Sequence, residues 1–214
     1  AWKREMRKDF SKMFCGQDIG IRTKKVVDMV AEEILKLDVS VTDAEKKAAV
    51  ALKNAGIKIN DKKNESDALL FMSKGQAKAL AELVLEKNDD KKAYKQALIQ
   101  EPAYDMALFG RMVASDPSLN YDAAAQVAHS ISTHAIHNEY DYFTAVDDRA
   151  PEDNLGAGHL GTVEFNSFTM YRYATVNVLE LDRHLGTDTA DVVAGFVKAF
   201  ICSMPTGKQN SFAN

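Results

Sequence analysis

Residues 140–175 read YDYFTAVDDRAPEDNLGAGHLGTVEFNSFTMYRYAT. An aromatic pair, Tyr142 and Phe143, leads into a polar segment that contains Pro and Gly, and the chain returns through Thr, Val, Phe and Tyr. The returning residues have the composition of a strand, whereas residues 147–161 have loop composition and no apolar period. A loop of about 15 residues is long for a compact domain and is usually functional or mobile. The stretch therefore predicts an arm that projects from a sheet.

Several motifs inside and outside this stretch match one family in the same order. They are WKREMRK (2–8), ALFGRMVAS (107–115), VAHSISTHAI (127–136), FTAVDD (143–148), HLGTVEF (159–165), YRYATVNV (171–178) and TGKQNSFA (206–213). The sequence resembles the CasC family, the backbone subunit of the type I-E CRISPR Cascade complex. The resemblance covers nearly the whole chain, although the residues between about 17 and 100 match only in their helical pattern.

The composition is that of an ordinary soluble globular protein of one or two domains, with 214 residues, 46% hydrophobic and 27% charged. No apolar run approaches the roughly 20 residues of a membrane helix, and no secretory signal is visible. Cys15 and Cys202 do not make a disulfide framework. We therefore expect a cytoplasmic protein with no membrane partner and no cofactor. Because the sequence begins without Met inside a helical pattern, we also expect a fragment that lacks both chain ends.

The distribution of charge is more informative than the net charge of −4, which by itself argues against nucleic-acid binding. Residues 1–100 carry 21 Lys and Arg against 16 Asp and Glu, whereas residues 101–214 carry 6 against 15. Solvation of helix faces explains most single lysines. An asymmetry between halves is nevertheless typical of contact with a polyanion, and it permits head-to-tail complementarity between copies along a filament.

The first 14 residues predict an amphipathic helix with a basic side. The apolar residues recur every four positions, at Trp2, Met6, Phe10 and Phe14. Lys3, Arg4 and Arg7 lie off that stripe, and Lys3 and Arg7 share a face. Two cations on one face suit adjacent phosphates, although a solvated basic face explains the spacing equally well. The resemblance implies that Lys3, Arg4 and Arg7 contact the phosphates of the CRISPR RNA.

Residues 17–101 predict a mostly helical segment. The apolar period marks a helix in 23–37, the pattern Thr42-Asp-Ala-Glu45 is typical of a capping box, and Gly56 stands where the next helix should end. Residues 68–72 fit a short strand or a buried turn, and Ser73-Lys-Gly-Gln76 again suggests a capping box.

Asp89 and Asp90 open another predicted helix, which ends before Pro102. That helix carries Lys91, Lys92 and Lys95, and the resemblance implies that these lysines lie where target DNA approaches. Leu98 stands where a further lysine of the family pattern is expected.

After residue 104 strands and helices are predicted to alternate, which fits an α+β fold. Because Gly disfavours helix interiors, residues 106–114 are interpreted as a buried strand, and Asn120 is expected to cap a helix that runs to near His134. Residues 170–181 have the composition of a strand, and residues 192–201 that of an amphipathic helix before Pro205. The resemblance implies an RNA-recognition-like, ferredoxin-like palm (1–16 and 104–214), an inserted helical domain (17–103) and a thumb hairpin at about 145–168.

The resemblance also implies further RNA-binding residues. Met112, Phe143 and Thr144 are expected to border kinked guide nucleotides, with Tyr142 where the family has Trp, and Lys208 beside the guide. Spacing alone favours a core position for Met112, Tyr142 and Phe143, although aromatic residues on an open sheet are also how RNA-recognition modules meet bases.

Three functions are weighed on these patterns. The preferred one is a non-catalytic subunit that assembles in several copies along the CRISPR RNA, contacts target DNA and binds other Cascade subunits, because guided systems delegate sequence recognition to base pairing. The second is a metal-dependent nuclease or phosphohydrolase that uses His129, His134 and Asp147, but the spacing of His129, His134 and His137 does not place the three histidines on one helical face. The third is an acidic scaffold that binds only protein.

Overall fold

The computed structural model describes residues 2–14, 19–145, 148–149 and 159–207, without the side chains of Trp2, Lys3 and His159. The helices are α1 (Trp2–Met13), α2 (Val26–Leu37), α3 (Ala44–Asn54), α4 (Lys74–Leu85), α5 (Lys91–Ile99), α6 (Tyr104–Phe109), α7 (Val178–Leu185) and α8 (Thr189–Cys202). The strands are β1 (Ile21–Thr23), β2 (Ile59–Asn60), β3 (Glu65–Ser66), β4 (Leu70–Met72), β5 (Ala125–Val127), β6 (Ile131–Ser132), β7 (Glu139–Ala145), β8 (His159–Phe165), β9 (Met170–Tyr171) and β10 (Ala174–Val176).

The chain divides into two compact units. One contains residues 1–126 with 175–214, and the other contains residues 127–174. Within the described ranges the strands pair two by two, as β1 with β4, β2 with β3, β5 with β10, β6 with β9 and β7 with β8. The mixed α+β class is thus present, whereas the ferredoxin-like palm and the domain boundaries inferred from the resemblance stay predictions.

The main core of the larger unit lies among α2, α3, α4 and α5, as the helical pattern of residues 17–101 predicts. The fully buried apolar residues of this core include Val27, Val30, Ile34, Leu52, Leu80 and Leu98. Ser73 caps α4 in a complete capping box: its hydroxyl accepts from the Gln76 N–H, and the Gln76 side chain accepts from the Ser73 N–H. The capping box predicted at Thr42 is wrong, because α3 begins after Asp43, which makes no side-chain cap.

A second packed region joins α1, α6 and α8 through aromatic rings. Phe10 of α1 is completely buried and lies edge-on to Phe109 of α6, and Phe109 in turn packs against Phe196 of α8. A Cβ on Gly195 would collide with the ring of Phe14, so the glycine lets α8 approach α1 closely. The apolar stripe of residues 1–14 therefore serves this core, as its spacing predicts.

The buried strand predicted over residues 106–114 is wrong, because residues 104–109 form α6. Gly110 ends this helix at a φ of +76°, where an L side chain would be strained. A Cβ there would also lie 2.8 Å from the Tyr121 carbonyl oxygen. The glycine that argued against a helix interior is thus the residue that ends the helix.

The helix predicted from Asn120 to near His134 is also wrong. Asn120 does not cap a helix, since its side-chain oxygen accepts the N–H of Val113. Tyr121 forms a bridge with Arg111, and the following residues form β5 and β6. The Asn120 side chain therefore bonds the backbone of Val113 and not the first turn of a following helix, as an N-cap would.

The single strand predicted over residues 170–181 divides into β9, β10 and the beginning of α7. Asn177 ends the strand conformation, because its side-chain oxygen accepts the N–H of Glu180 and caps α7. Helix α8 covers the predicted amphipathic helix of residues 192–201 and ends before Pro205.

Candidate nucleic-acid interface

The basic side of α1 is partly open to solvent. Arg4 is strongly exposed and forms only a long ion pair of 3.5 Å with the adjacent Glu5. Arg7 is half-buried, and its guanidinium lies 3.4 Å from the carboxylate of Asp105. The side chain of Lys3 lies outside the described residues. The predicted cationic surface on α1 therefore includes one exposed arginine that is paired only with its neighbour Glu5 and one that is anchored to α6.

Asp105 fixes the position of Arg7. This carboxylate is buried and accepts two contacts, from the Arg7 guanidinium and from the Gly20 N–H at 2.9 Å. Burial raises the pKa of Asp105, whereas the Gly20 N–H and the positive charge of Arg7 act in the opposite direction. The carboxylate thus links α6 to α1 and to the segment before β1.

Arg22 is a basic residue of this region that the sequence patterns did not single out. Its guanidinium lies 4.9 Å from the centroid of the Phe71 ring, and that of Arg7 lies 4.8 Å from the same centroid. The pairing of β1 with β4 places Arg22 directly opposite Phe71. Residues 21–25 read IRTKK, so Arg22, Lys24 and Lys25 form a short cluster of basic residues that is visible in the sequence. Its aromatic partner is distant in sequence, so the pattern alone does not reveal the pair.

Met112 is exposed because its two neighbours are held inside the fold. Arg111 and Val113 are buried, whereas Met112 is 81% exposed, which is the alternation of an extended segment. The Arg111 guanidinium donates to the carbonyl oxygens of Leu119, Leu98 and Phe71 and to the side-chain oxygen of Gln76. Met112 is therefore an exposed apolar side chain on a segment whose neighbouring residues are held in place, and it is not part of the core.

The smaller unit presents aromatic side chains on a two-stranded hairpin. β7 and β8 pair in register from Glu139 opposite Phe165 to Ala145 opposite His159. Every residue of β7 is exposed, including Tyr142 at 73%. The loop between these strands, which contains Asp147, falls largely outside the described residues. The returning strand that the composition predicts is thus present as β8, and it pairs with β7.

The register separates Tyr142 from Phe143. Successive residues of a strand point to opposite faces, so Tyr142 shares a face with Thr144, and Phe143 lies on the other face. Phe143 is opposite Gly161, and a Cβ on Gly161 would collide with the Phe143 ring. The ring therefore covers the glycine, which is a common way to stabilise a glycine in a strand.

The three lysines of α5 are not equivalent. Lys91 and Lys92 are exposed and form no ion pair with any described residue. Lys95 donates to Asp116 at 2.6 Å, and this hydrogen bond together with that from Ser118 lowers the pKa of Asp116 to about 2. Lys91 and Lys92 are therefore the cations of this helix that are open to a ligand.

The metal hypothesis has no support in the described part of the chain, where no cluster of three or more potential ligands occurs. His134 bonds backbone groups through both ring nitrogens: Nδ1 faces the Ala135 carbonyl at 2.8 Å, and Nε2 faces the Thr169 N–H at 3.4 Å. Asp147 and Lys208 lie outside the described residues. None of the described helices is long and apolar enough to cross a membrane.

Comparison with solved structures gives matches to CRISPR assemblies. A chain of a structure described as a CRISPR RNA-guided surveillance complex, pre-nicking, is similar at 29% sequence identity with a TM-score of 0.68, over 99% of this chain and 64% of that chain. The present chain thus spans about two thirds of that relative. A chain of another structure, described as a CRISPR RNA-guided surveillance complex, is 42% identical over 51% of this chain and 43% of that chain, with a TM-score of 0.46.

No curated protein matches the chain. A protein-family model described as CT1975-like protein, with the family label Cas CT1975, matches residues 1–214. Because that match includes every residue of the sequence, the chain belongs to the Cas family of CT1975-like proteins.

Proposed function

We propose that this protein is a non-catalytic CRISPR RNA-binding backbone subunit of a type I-E antiviral surveillance complex. The observation that carries the proposal is the similarity, over 99% of the chain, to a chain of a CRISPR RNA-guided surveillance complex. In this function several copies assemble along the guide RNA in the cytoplasm, bind other subunits of the complex and contact target DNA.

The surface chemistry of both units supports RNA as the ligand. The larger unit offers arginines for phosphate groups on α1 and β1. The smaller unit offers exposed Tyr140 and Tyr142 on one face of the hairpin, and such rings stack with bases regardless of sequence. A guide RNA of any sequence requires this kind of binding, in which the protein reads the backbone and the base faces.

A metal-dependent nuclease is less well supported, because His134 uses both ring nitrogens for backbone contacts. In the proposed function the protein holds the RNA without cleaving it. RNA or DNA cleavage by the purified full-length protein that disappears in both His134→Ala and Asp147→Ala would contradict this part of the proposal.

Co-purification tests the proposal directly. The full-length protein, expressed with its partner subunits and a CRISPR array, is expected to carry a bound RNA of discrete length after washing at moderate salt. An acidic scaffold that binds only protein would assemble with the same subunits in the absence of RNA. Recovery of the intact assembly without nucleic acid would therefore exclude RNA as the ligand.

The opposite faces of the hairpin predict different effects for Tyr142→Ala and Phe143→Ala. Loss of the exposed Tyr142 ring is expected to cost about 1–3 kcal/mol of RNA binding without changing the stability of the hairpin. Phe143→Ala uncovers Gly161 and is expected to weaken the hairpin itself. RNA titration and limited proteolysis of the full-length variants separate the two effects.

Val163→Ala is the matched control for this pair of variants, because Val163 lies on the Phe143 face opposite Asp141. It removes apolar surface of β8 without removing an aromatic ring from the Tyr142 face. If Tyr142→Ala and Val163→Ala changed RNA affinity equally, the assignment of base stacking to the Tyr142 face would be wrong.

A further inference from the structure

Two guanidinium groups lie against the Phe71 ring, and only one of them is paired with a carboxylate. Arg7 and Arg22 lie 4.8 Å and 4.9 Å from the ring centroid. The nearby anion is Asp105, which is buried and is already bonded to Arg7 and to the Gly20 N–H. The pair therefore has more positive than negative charge, and its open side faces solvent through the exposed Arg22.

The guanidinium of Arg22 makes no hydrogen bond or ion pair with any residue in the described ranges, although the Arg22 backbone pairs with Phe71 in the sheet. Its five N–H donors remain available, while stacking on the Phe71 ring restricts the plane of the guanidinium. A guanidinium that is oriented in advance loses less entropy when it binds a planar or tetrahedral oxyanion. The charge of Arg7 also lowers the pKa of Arg22, after the larger effect of burial, and an anion placed against both groups would relieve that repulsion.

We propose that Arg22 and Arg7, stacked on Phe71, form a binding site for a backbone phosphate of the single-stranded guide RNA. The guanidinium N–H groups of Arg22 donate to the phosphate oxygens. Arg7, which Asp105 holds in position, supplies the second positive charge. Phe71 is the neutral platform that holds the two cations together. This inference rests on the proposed RNA-binding function and adds to it a site centred on β1 of the larger unit.

The test uses the full-length subunit and a labelled single-stranded RNA, with binding measured at several salt concentrations. Arg22→Gln is expected to lower affinity about 10-fold at low salt and to reduce the slope of log K against log salt by about 0.7, which is one phosphate contact on a single strand. Arg22→Lys is expected to retain the slope, because it keeps the charge, and to lose part of the affinity, because it loses the planar fork.

Arg183→Gln is the matched control, because Arg183 is an exposed arginine of α7 that is paired with Glu180. It is expected to change neither the affinity nor the slope. Thermal unfolding should differ little between the wild type and both Gln variants, since the Arg22 guanidinium makes no hydrogen bond or ion pair with a described residue and an exposed cation–π contact contributes only a small part of the stability. Wild-type binding with an unchanged slope in Arg22→Gln would overturn this inference alone, whereas absence of RNA binding by the wild-type protein would overturn the proposed function.

Discussion

Arg111→Leu is expected to lower the free energy of unfolding by about 3–5 kcal/mol, because it removes the donor of several buried acceptors, and an acceptor left unsatisfied costs about 1–3 kcal/mol. Arg111 is only 4% exposed, and its guanidinium donates five hydrogen bonds to four acceptors. Leucine leaves the carbonyl oxygen of Leu119 without both of the bonds that Arg111 gives it. Unsatisfied buried acceptors retain their full desolvation cost.

The position of the acceptors explains why the effect should be global. They come from β4, from α4, from the end of α5 and from the 3-10 helix at Pro117–Leu119, so one side chain ties together four separate segments. Burial lowers the pKa of Arg111 to about 10, and the group therefore remains charged at neutral pH. Its positive charge is compensated by carbonyl dipoles and by the Tyr121 ring, whose centroid lies 5.1 Å away.

Urea unfolding followed by circular dichroism measures the effect. Arg111→Lys is expected to fall between the wild type and Arg111→Leu, because an ammonium keeps the charge but cannot reach all four acceptors in the geometry of a fork. Arg183→Leu is the surface control and should change stability by no more than about 0.5 kcal/mol. A loss below about 1 kcal/mol in Arg111→Leu would show that the apolar packing of leucine compensates for the hydrogen bonds of Arg111, so that these bonds contribute little to stability.

Sequence reasoning succeeded where the determining interactions are local. The four-residue spacing of apolar side chains predicts α1, and Ser73 with Gln76 predicts the start of α4, because both signals act within one or two turns of helix. It failed at Gly110 and Asn120, where a distant residue decides the conformation. Gly110 lies against the Tyr121 carbonyl, and the Asn120 side chain bonds Val113.

The candidate site shows the same difference between residues whose positions depend on local interactions and residues whose positions depend on distant partners. Spacing alone favours a core position for Tyr142 and Phe143, whereas the resemblance implies exposed RNA contacts; strand alternation separates their faces once the register is known. Arg22 is different, because its position depends on Phe71, a partner 49 residues away in sequence. Its basic neighbours at Lys24 and Lys25 were a usable signal, but no period in the sequence indicates which aromatic ring a cation will meet.

Two pairs of adjacent cations are predicted to have different functions in the full complex. Lys3→Glu with Arg4→Glu is expected to abolish RNA-dependent assembly, with a loss of affinity of about 100-fold or more, because two attractive phosphate contacts become repulsive. Lys91→Glu with Lys92→Glu is expected to leave assembly intact and to weaken capture of target DNA of any sequence. Arg7 is left unchanged in this design, since a Glu there would face the buried carboxylate of Asp105.

Lys62→Glu with Lys63→Glu is the matched control, because these adjacent lysines are exposed and lie between β2 and β3. All three double variants change the charge by the same amount, so only position distinguishes them. RNA-dependent assembly is followed by size-exclusion chromatography, and DNA capture is measured by titration at several salt concentrations with two unrelated target sequences that match their guides.

The salt dependence separates a direct contact from a general effect of charge. A direct phosphate contact removed from double-stranded DNA reduces the slope of log K against log salt by about 0.9 per residue, so Lys91→Glu with Lys92→Glu should reduce the slope for DNA by about two units, whereas the control should not change it. Equal losses of DNA capture in both lysine pairs would mean that net charge alone governs DNA capture. If the α5 pair instead blocked assembly while DNA capture by the surviving complex was unchanged, α5 would belong to the assembly surface and not to the DNA-binding surface.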